Sequence, residues 1–481
     1  MPPPLMAFVC IVGIVGLFVL QREKGPQPSK ALWIPMAWLF INCSRPFSLW
    51  LGALGIGGSG GSGGAGQIYL EGSPLDAILF SSLLLAGLIV LVYRSPKVLP
   101  LFPRMLPILV FFLYCGISIF WSDYPFVAFK HWNKGIGDLV MVLVIVTDPE
   151  PYVGLQRILT RLATVLLPLS ILFNKYYPAI GRGFSAGGIP VYGGVTTNKN
   201  TLGVVCLIFG LGALWRFRAL YRDREVPHRT RLLVVQGTLL SMVVYLLWMC
   251  NSMTSIMCLV TGSGLLLLAD RPGTPRRTVV INFLAAAIVG LSLFAVFFDT
   301  SGNMVQNIGR NSTLTGRTDI WDAVLPFAGN PLIGTGYESF WLGPRLEKFW
   351  SVQDGAFYGL QEAHNGYLEL YLNLGWIGIV LIAVLIVVSY PRVLATYRND
   401  PHSGSLGLAF FVSEVIYNYT EAGFRMMFPL WIFFLLAMLG IPKAPVPQIF
   451  SEIDVDLADN MLSSETHLDH TVGVGIRHGV I

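Results

Sequence analysis

Charge is scarce in this chain. Only 12% of its 481 residues are Asp, Glu, Lys or Arg, against 54% hydrophobic residues and a mean hydropathy of +0.64, a balance that excludes an ordinary soluble domain. Paired cysteines are also missing. The six cysteines, Cys10, Cys43, Cys115, Cys206, Cys250 and Cys258, fall within or at the ends of apolar runs, where they act as small hydrophobes. With no C-x-x-C and no His/Cys cluster in a loop, neither a disulfide framework nor a zinc site is indicated. No Walker loop, no H-E-x-x-H and no Asp-x-Asp in an external loop occurs, so nucleotide-driven pumping and metal-dependent transfer from sugar nucleotides lose support. The net charge of +5 is scattered over connecting loops without a basic face, which gives no indication of nucleic acid as a partner.

What is present is a succession of apolar segments, near 5–20, 31–43, 76–93, 105–121, 135–147, 162–173, 201–215, 232–250, 253–269, 278–298, 366–390, 405–420 and 426–441. Several fall short of the roughly 20 residues that a straight span needs, so the spacing predicts an all-α polytopic membrane protein of about 12–14 transmembrane helices over residues 1–441. The first segment is followed by Arg22 and Lys24 and lacks a small-residue cleavage site, which reads as an uncleaved span. Alternate loops sort by charge. Those carrying Arg94, Lys97 and Arg104, then Arg157 and Arg161, then the run from Arg216 to Arg231, then Arg271 to Arg277, then Arg392 and Arg398, are cytoplasmic by the positive-inside rule. The large loop 299–365 then falls outside the cytoplasm, beyond ATP and nucleotide sugars. Gly57 to Gly66 is a Gly/Ser tract expected to be a flexible linker. Residues 442–481 form an acidic tail expected to be cytoplasmic and disordered.

Three external stretches carry groups suited to chemistry. Thr315 to Pro326 reads as an interfacial helix with Thr315 as its N-cap and Trp321 at headgroup depth. Arg317 in its first turn would meet an anion bidentately, or pair with Asp319 or Asp322. His364, close to Glu362 and with Asn365 available as a helix cap, is a candidate general base for a sugar hydroxyl; it could equally cap the next helix. The loop Asn174 to Asn200 presents Lys175, Arg182 and Lys199 among tyrosines and glycines, fit for a phosphate and a sugar face, or simply a basic turn. Glu414 with Asn418, and Glu421 with Arg425, are spaced i, i+4, and internal pairing accounts for such ionisable groups beside apolar runs.

The run Gly316-Arg317-Thr318-Asp319-Ile320-Trp321, then Asn330-Pro331-Leu332-Ile333-Gly334-Thr335-Gly336-Tyr337, then His364-Asn365-Gly366-Tyr367-Leu368-Glu369 and Leu374-Gly375-Trp376-Ile377-Gly378, resembles the signature of the O-antigen ligase and polymerase superfamily. Ala31 to Pro35, Ser44-Arg45-Pro46, Ser48-Leu49-Trp50 and Thr196-Thr197-Asn198-Lys199-Asn200 resemble its exopolysaccharide-production branch. The resemblance implies a GT-C-like, lipid-sugar glycosyltransferase architecture with a large periplasmic loop, in the bacterial inner membrane. It implies a glycan donor on undecaprenyl diphosphate and an acceptor hydroxyl on a second glycan or on lipid A core, with no cofactor or metal, and polysaccharide-export or chain-length proteins as further partners. By motif it assigns His364 and Arg317 as catalytic and Arg182 to the substrate; Lys199, Trp321, Glu362, Asn365, Glu421 and Arg425 complete the expected binding set. Cations that meet the charge developing on the departing diphosphate would lower the barrier more than a protein nucleophile could. A secondary transporter or flippase for lipid-linked saccharides shares the composition, but it would place ionisable residues in mid-membrane and show paired halves.

Overall fold

The computed structural model describes residues 2–23, 26–53, 73–184, 188–269, 315–352 and 356–441. The Gly/Ser tract, the apolar segment 278–298, the first part of the large loop and the acidic tail lie outside the described residues. The other twelve apolar segments coincide with helices, because a backbone in hydrocarbon must satisfy its own hydrogen bonds. They are α1 (Pro3–Leu20), α2 (Trp33–Asn42), α3 (Pro74–Tyr93), α4 (Phe102–Ile117), α5 (Pro125–Val146), α6 (Pro151–Tyr176), α7 (Lys199–Arg222), α8 (Arg229–Cys250) and α9 (Met253–Ala269). After the large loop's own helices, α10 (Thr315–Val324) and α11 (Gly343–Trp350), come α12 (Gly366–Asn399), α13 (Pro401–Tyr417) and α14 (Pro429–Leu439). Seven of the described helical segments are long and apolar enough to cross a membrane; others, such as α2 and α14, have only 10 and 11 residues. This is a multi-pass, all-α membrane protein.

Polar contacts divide the connections between two ends of the bundle, as the alternation of charge anticipates. At one end Arg94 meets Asp148 at 3.1 Å, Arg216 meets Glu23 at 2.9 Å and Arg104 donates to the Leu439 carbonyl. At the other, Arg45 donates to the carbonyls of Ile180, Val195 and Thr196, Ser48 to Asp76, and Arg345 pairs with Asp123. A two-stranded hairpin, β1 (Arg182–Phe184) with β2 (Pro190–Tyr192), lies between α6 and α7. Five of the six cysteines are buried and all six are unpaired, as expected of small hydrophobes.

The large loop is folded rather than loose where it is described. Val324, Phe340, Trp341, Leu346, Phe349 and Trp350 form a second apolar core with Ala363 and Leu372. Beneath it α12 is broken at Gly375, whose φ of 65° and ψ of −165° are not helical. Two amides freed by the break, those of Trp376 and Ile377, donate to the carbonyls of Pro331 and Leu332. A Cβ on Gly375 would lie 2.3 Å from the Leu332 carbonyl carbon, so only glycine lets the two backbones approach. The Asn330–Gly336 turn and the Leu374-Gly375 pair, separate in sequence, are one joint.

Candidate functional site

α10 begins at Thr315, making Thr315 its first residue rather than its N-cap. The Trp321 indole N–H donates 2.8 Å to the Ala363 carbonyl, and its ring packs on the second core. The N–H of Ala363 donates 2.5 Å to Glu369, whose carboxylate also accepts from Trp341. Both backbone groups of Ala363 are therefore held, and with them the two candidate side chains on either side, Glu362 and His364.

His364 has a left-handed backbone, φ 50°, a strained conformation for a side chain of this kind and one that clusters at functional sites. The turn it makes lets the next residue cap α12. Asn365 Oδ1 accepts from the amides of Tyr367 and Leu368, both at 3.0 Å. The capping role left open for His364 thus belongs to Asn365, whose Oδ1 is used in holding the helix. Gly366 follows, its amide donating to the carbonyls of Asn418 and Glu421. A Cβ there would meet Asn418 Oδ1 at 1.7 Å. Gly366→Ala is expected to destabilise the protein by about 1–3 kcal/mol, the usual cost of overpacking, and a thermal melt unchanged from wild type would contradict this joint.

The segment 418–428 is not helical, since α13 ends at Tyr417 and Met427 has φ 59°. Glu421 and Arg425 are accordingly not a pair one helical turn apart. Glu421 is instead the centre of a cluster: Oε1 is 2.6 Å from the Arg317 guanidinium, Oε2 is 3.2 Å from His364 Nδ1, and both oxygens accept from Asn200 at 3.0 Å. Glu362 lies 3.0 Å from the same His364 nitrogen and 3.5 Å from Arg425, whose other nitrogen is 3.8 Å from Glu338. The expected internal pairing holds for Glu414, whose Oε1 accepts from Asn418 at 3.0 Å.

Not every expected residue joins. Arg182 donates to the Asn174 carbonyl at 2.7 Å and lies over the Tyr192 ring, and Lys175 lies over Tyr245; these contacts hold the hairpin and its neighbours. Lys199 is exposed at the start of α7, and it is its neighbour Asn200 that reaches Glu421. Asn200, Glu338 and Glu369 were missed in sequence. The first adjoins a lysine that drew attention by its charge, and the other two sit in apolar or glycine-rich contexts without a local signal.

The cluster sets three carboxylates, Glu338, Glu362 and Glu421, against Arg317, Arg425 and His364. Burial alone would lower the His364 pKa, but hydrogen bonds and charge from Glu362 and Glu421 outweigh it and push it up to about 10. Burial raises the Glu362 carboxyl, yet the hydrogen bond and charge of His364, followed by Arg425 and Arg317, hold it below its usual range. At neutral pH the resting imidazole is therefore an imidazolium, which a simple general base is not. Glu362, His364 and Glu421 offer ligand atoms within 4.8 Å of one another and could hold a divalent ion. Two guanidiniums already occupy the outer sides of these carboxylates, which suits an ion-pair network better than a metal centre.

Glu362 and Arg425 form one edge of a cavity of about 940 Å³ that extends between α3 and α5. On α3, Leu85 and Leu88 line it while remaining exposed on the helix surface. One wall of the cavity is thus apolar and faces the surroundings of the bundle.

The fold and the cluster define a membrane protein with a charged site under a folded loop. Residues 237–383 match the family described as O-antigen ligase. It is similar to the exopolysaccharide production protein ExoQ of Rhizobium meliloti (strain 1021), 26% identical over 335 residues that cover 66% of this chain and 72% of that protein. The family match includes Arg317, Glu362 and His364. Asn200, Glu421 and Arg425, which complete the cluster, lie outside it.

Proposed function

We propose that the protein transfers a glycan from an undecaprenyl-diphosphate carrier to a hydroxyl of an acceptor glycan or lipid A core, on the periplasmic side of the bacterial inner membrane. The observation that carries this reading is the junction of an ion-pair cluster, in which Arg317, His364 and Arg425 are held by Glu338, Glu362 and Glu421, and a cavity whose far wall is apolar. A lipid-linked anion needs both. Similarity to an exopolysaccharide production protein favours glycan assembly over transport of the intact lipid-linked saccharide.

In the reaction the bond between the donor's anomeric carbon and the diphosphate oxygen breaks, and the acceptor oxygen forms the new bond to that carbon. Arg317 and the His364 imidazolium meet the negative charge left on the diphosphate, where preorganised donors stabilise a transition state most. Glu362 faces the cavity and is ionised, so it receives the acceptor's proton, as a carboxylate does in inverting glycoside chemistry. His364 keeps its catalytic place, with its role moved from base to cation. Asn200 and Glu421 hold the cations in position.

The purified protein in detergent, given lipid-diphosphate-linked glycan and acceptor, should form product without ATP and in the presence of a chelator. Loss of activity on chelation, restored by one divalent ion, would instead make Glu362, His364 and Glu421 metal ligands.

A further inference from the structure

Behind the cavity wall lies a carboxylate that the reaction cluster does not use. Asp138, in the apolar part of α5, is fully buried, and an ionisable group in such a place is costly and as a rule functional. Its two oxygens have separate donors. Oδ1 accepts 2.8 Å from the Trp38 indole N–H on α2, and Oδ2 accepts 2.8 Å from the Met427 amide. A Cβ on Gly137 would meet the Trp38 ring, so the glycine beside Asp138 lets the indole approach. Trp38 and Met427 both line the large cavity, as do Glu362 and Arg425.

The bond to Met427 matters because of what the segment 418–428 carries. Near its start Asn418 ties it, with Oδ1 accepting from the amides of Gly423 and Phe424, both at 2.8 Å. Near its end Met427 has a left-handed backbone, φ 59°, which a methionine keeps only where its surroundings over-determine it. The Asp138 bond fixes the peptide on the N-terminal side of that residue. Arg425, two residues earlier, stands between Glu362 at 3.5 Å and Glu338 at 3.8 Å.

We propose that Asp138 is a positioning residue for the transfer site: through the Met427 amide it fixes the end of the segment 418–428 and so sets the Arg425 guanidinium against Glu362 at the cavity edge. This deepens the transfer reading and rests on it for what Glu362 does. Asp138 touches neither glycan nor diphosphate. It acts at one remove, by fixing the arginine that pairs with the proton-accepting Glu362. A carboxylate suits the task because both its oxygens accept, one from α2 and one from the segment. An asparagine has a single acceptor oxygen, and its NH2 would face a donor.

The test uses the full-length protein in lipid nanodiscs, as wild type and as D138N. In wild type the Met427 amide should exchange with deuterium as slowly as the Gly423 and Phe424 amides, a readout that needs no variant; exchange at the rate of an unprotected amide overturns the proposal. In D138N it should exchange about tenfold faster or more, the loss of one hydrogen bond to a charged group, while Gly423 and Phe424 stay protected. Phenylglyoxal should then modify Arg425 faster than in wild type, and Arg317 at an unchanged rate. In transfer assays D138N should lower kcat by about 10–10²-fold, as misplacing a group at a reaction site does, with KM little changed. In the R425Q background it should add no further loss, because the two residues act as one unit. A merely structural Asp138 would lower activity by the same factor in both backgrounds, and that result overturns the proposal, as does unchanged modification of Arg425 in D138N. Exchange and modification are read without catalysis, so a wild type that forms no product while D138N releases Met427 and Arg425 keeps the positioning role and loses the transfer reading.

Discussion

Arg317→Ala is expected to lower transfer by about 10²–10³-fold, the effect of removing one preorganised donor from a site of developing negative charge. The guanidinium lies 2.6 Å from Glu421, so alanine also leaves a nearly buried carboxylate with, among the described residues, only the His364 and Asn200 side chains as partners. Arg317→Lys keeps the charge but loses the planar fork; it should fall between wild type and alanine. A second variant, Glu421→Gln, separates the two effects, because it removes the carboxylate's charge and leaves the arginine. If Arg317→Ala transferred glycan at the wild-type rate while folding normally, the departing diphosphate would not depend on this residue.

His364→Asn should cost a similar factor, about 10²–10³-fold, with little change in folding. Asparagine tolerates the left-handed backbone that His364 adopts, and Asn365 already caps α12, so the substitution removes the imidazolium and leaves the turn. The pH profile distinguishes the two roles. With the histidine pushed up to about 10, a cationic role predicts a rate steady through neutral pH that falls as the pH passes about 10, and His364→Asn lacks that alkaline fall. A base role predicts a rate that climbs towards pH 10. Stability follows the same group: its folded pKa lies above the unfolded value near 6.5, so its contribution is full below that pH and is lost as the pH rises through about 10. These two substitutions touch one network through Glu421, so their effects should combine to less than their product.

Much of the fold is legible in the chain because hydropathy and helix length answer to one constraint, the bilayer. Twelve apolar segments coincide with helices near the expected bounds, and Arg94, Arg104 and Arg216 make their contacts at one end. Local pattern was also sufficient for the helix at Thr315 and for the cap at Asn365. It failed where side chains meet across sequence. Glu421 is expected to pair with Arg425 because the two lie four residues apart, but α13 ends at Tyr417 before either, and Glu421 meets Arg317 from 104 residues away. Trp321 looks like an interfacial anchor from its neighbours alone; the carbonyl it binds belongs to Ala363, which carries no signal of its own. Arg182 was drawn by its charge and by motif, yet its backbone partner and Tyr192 engage it.

The most direct test of the proposed transfer is a single-turnover experiment on the purified wild-type protein, with labelled lipid-diphosphate-linked glycan bound at stoichiometric amounts and acceptor then added. The account predicts a new glycosidic bond to the acceptor and one free lipid diphosphate released per bond, both detected by mass spectrometry, and both formed about 10²–10³-fold more slowly in Arg317→Ala protein that still binds the donor. Recovery of the donor intact from wild type, bound and exposed to a competent acceptor, or its movement across a reconstituted bilayer with the glycan still attached, would contradict it.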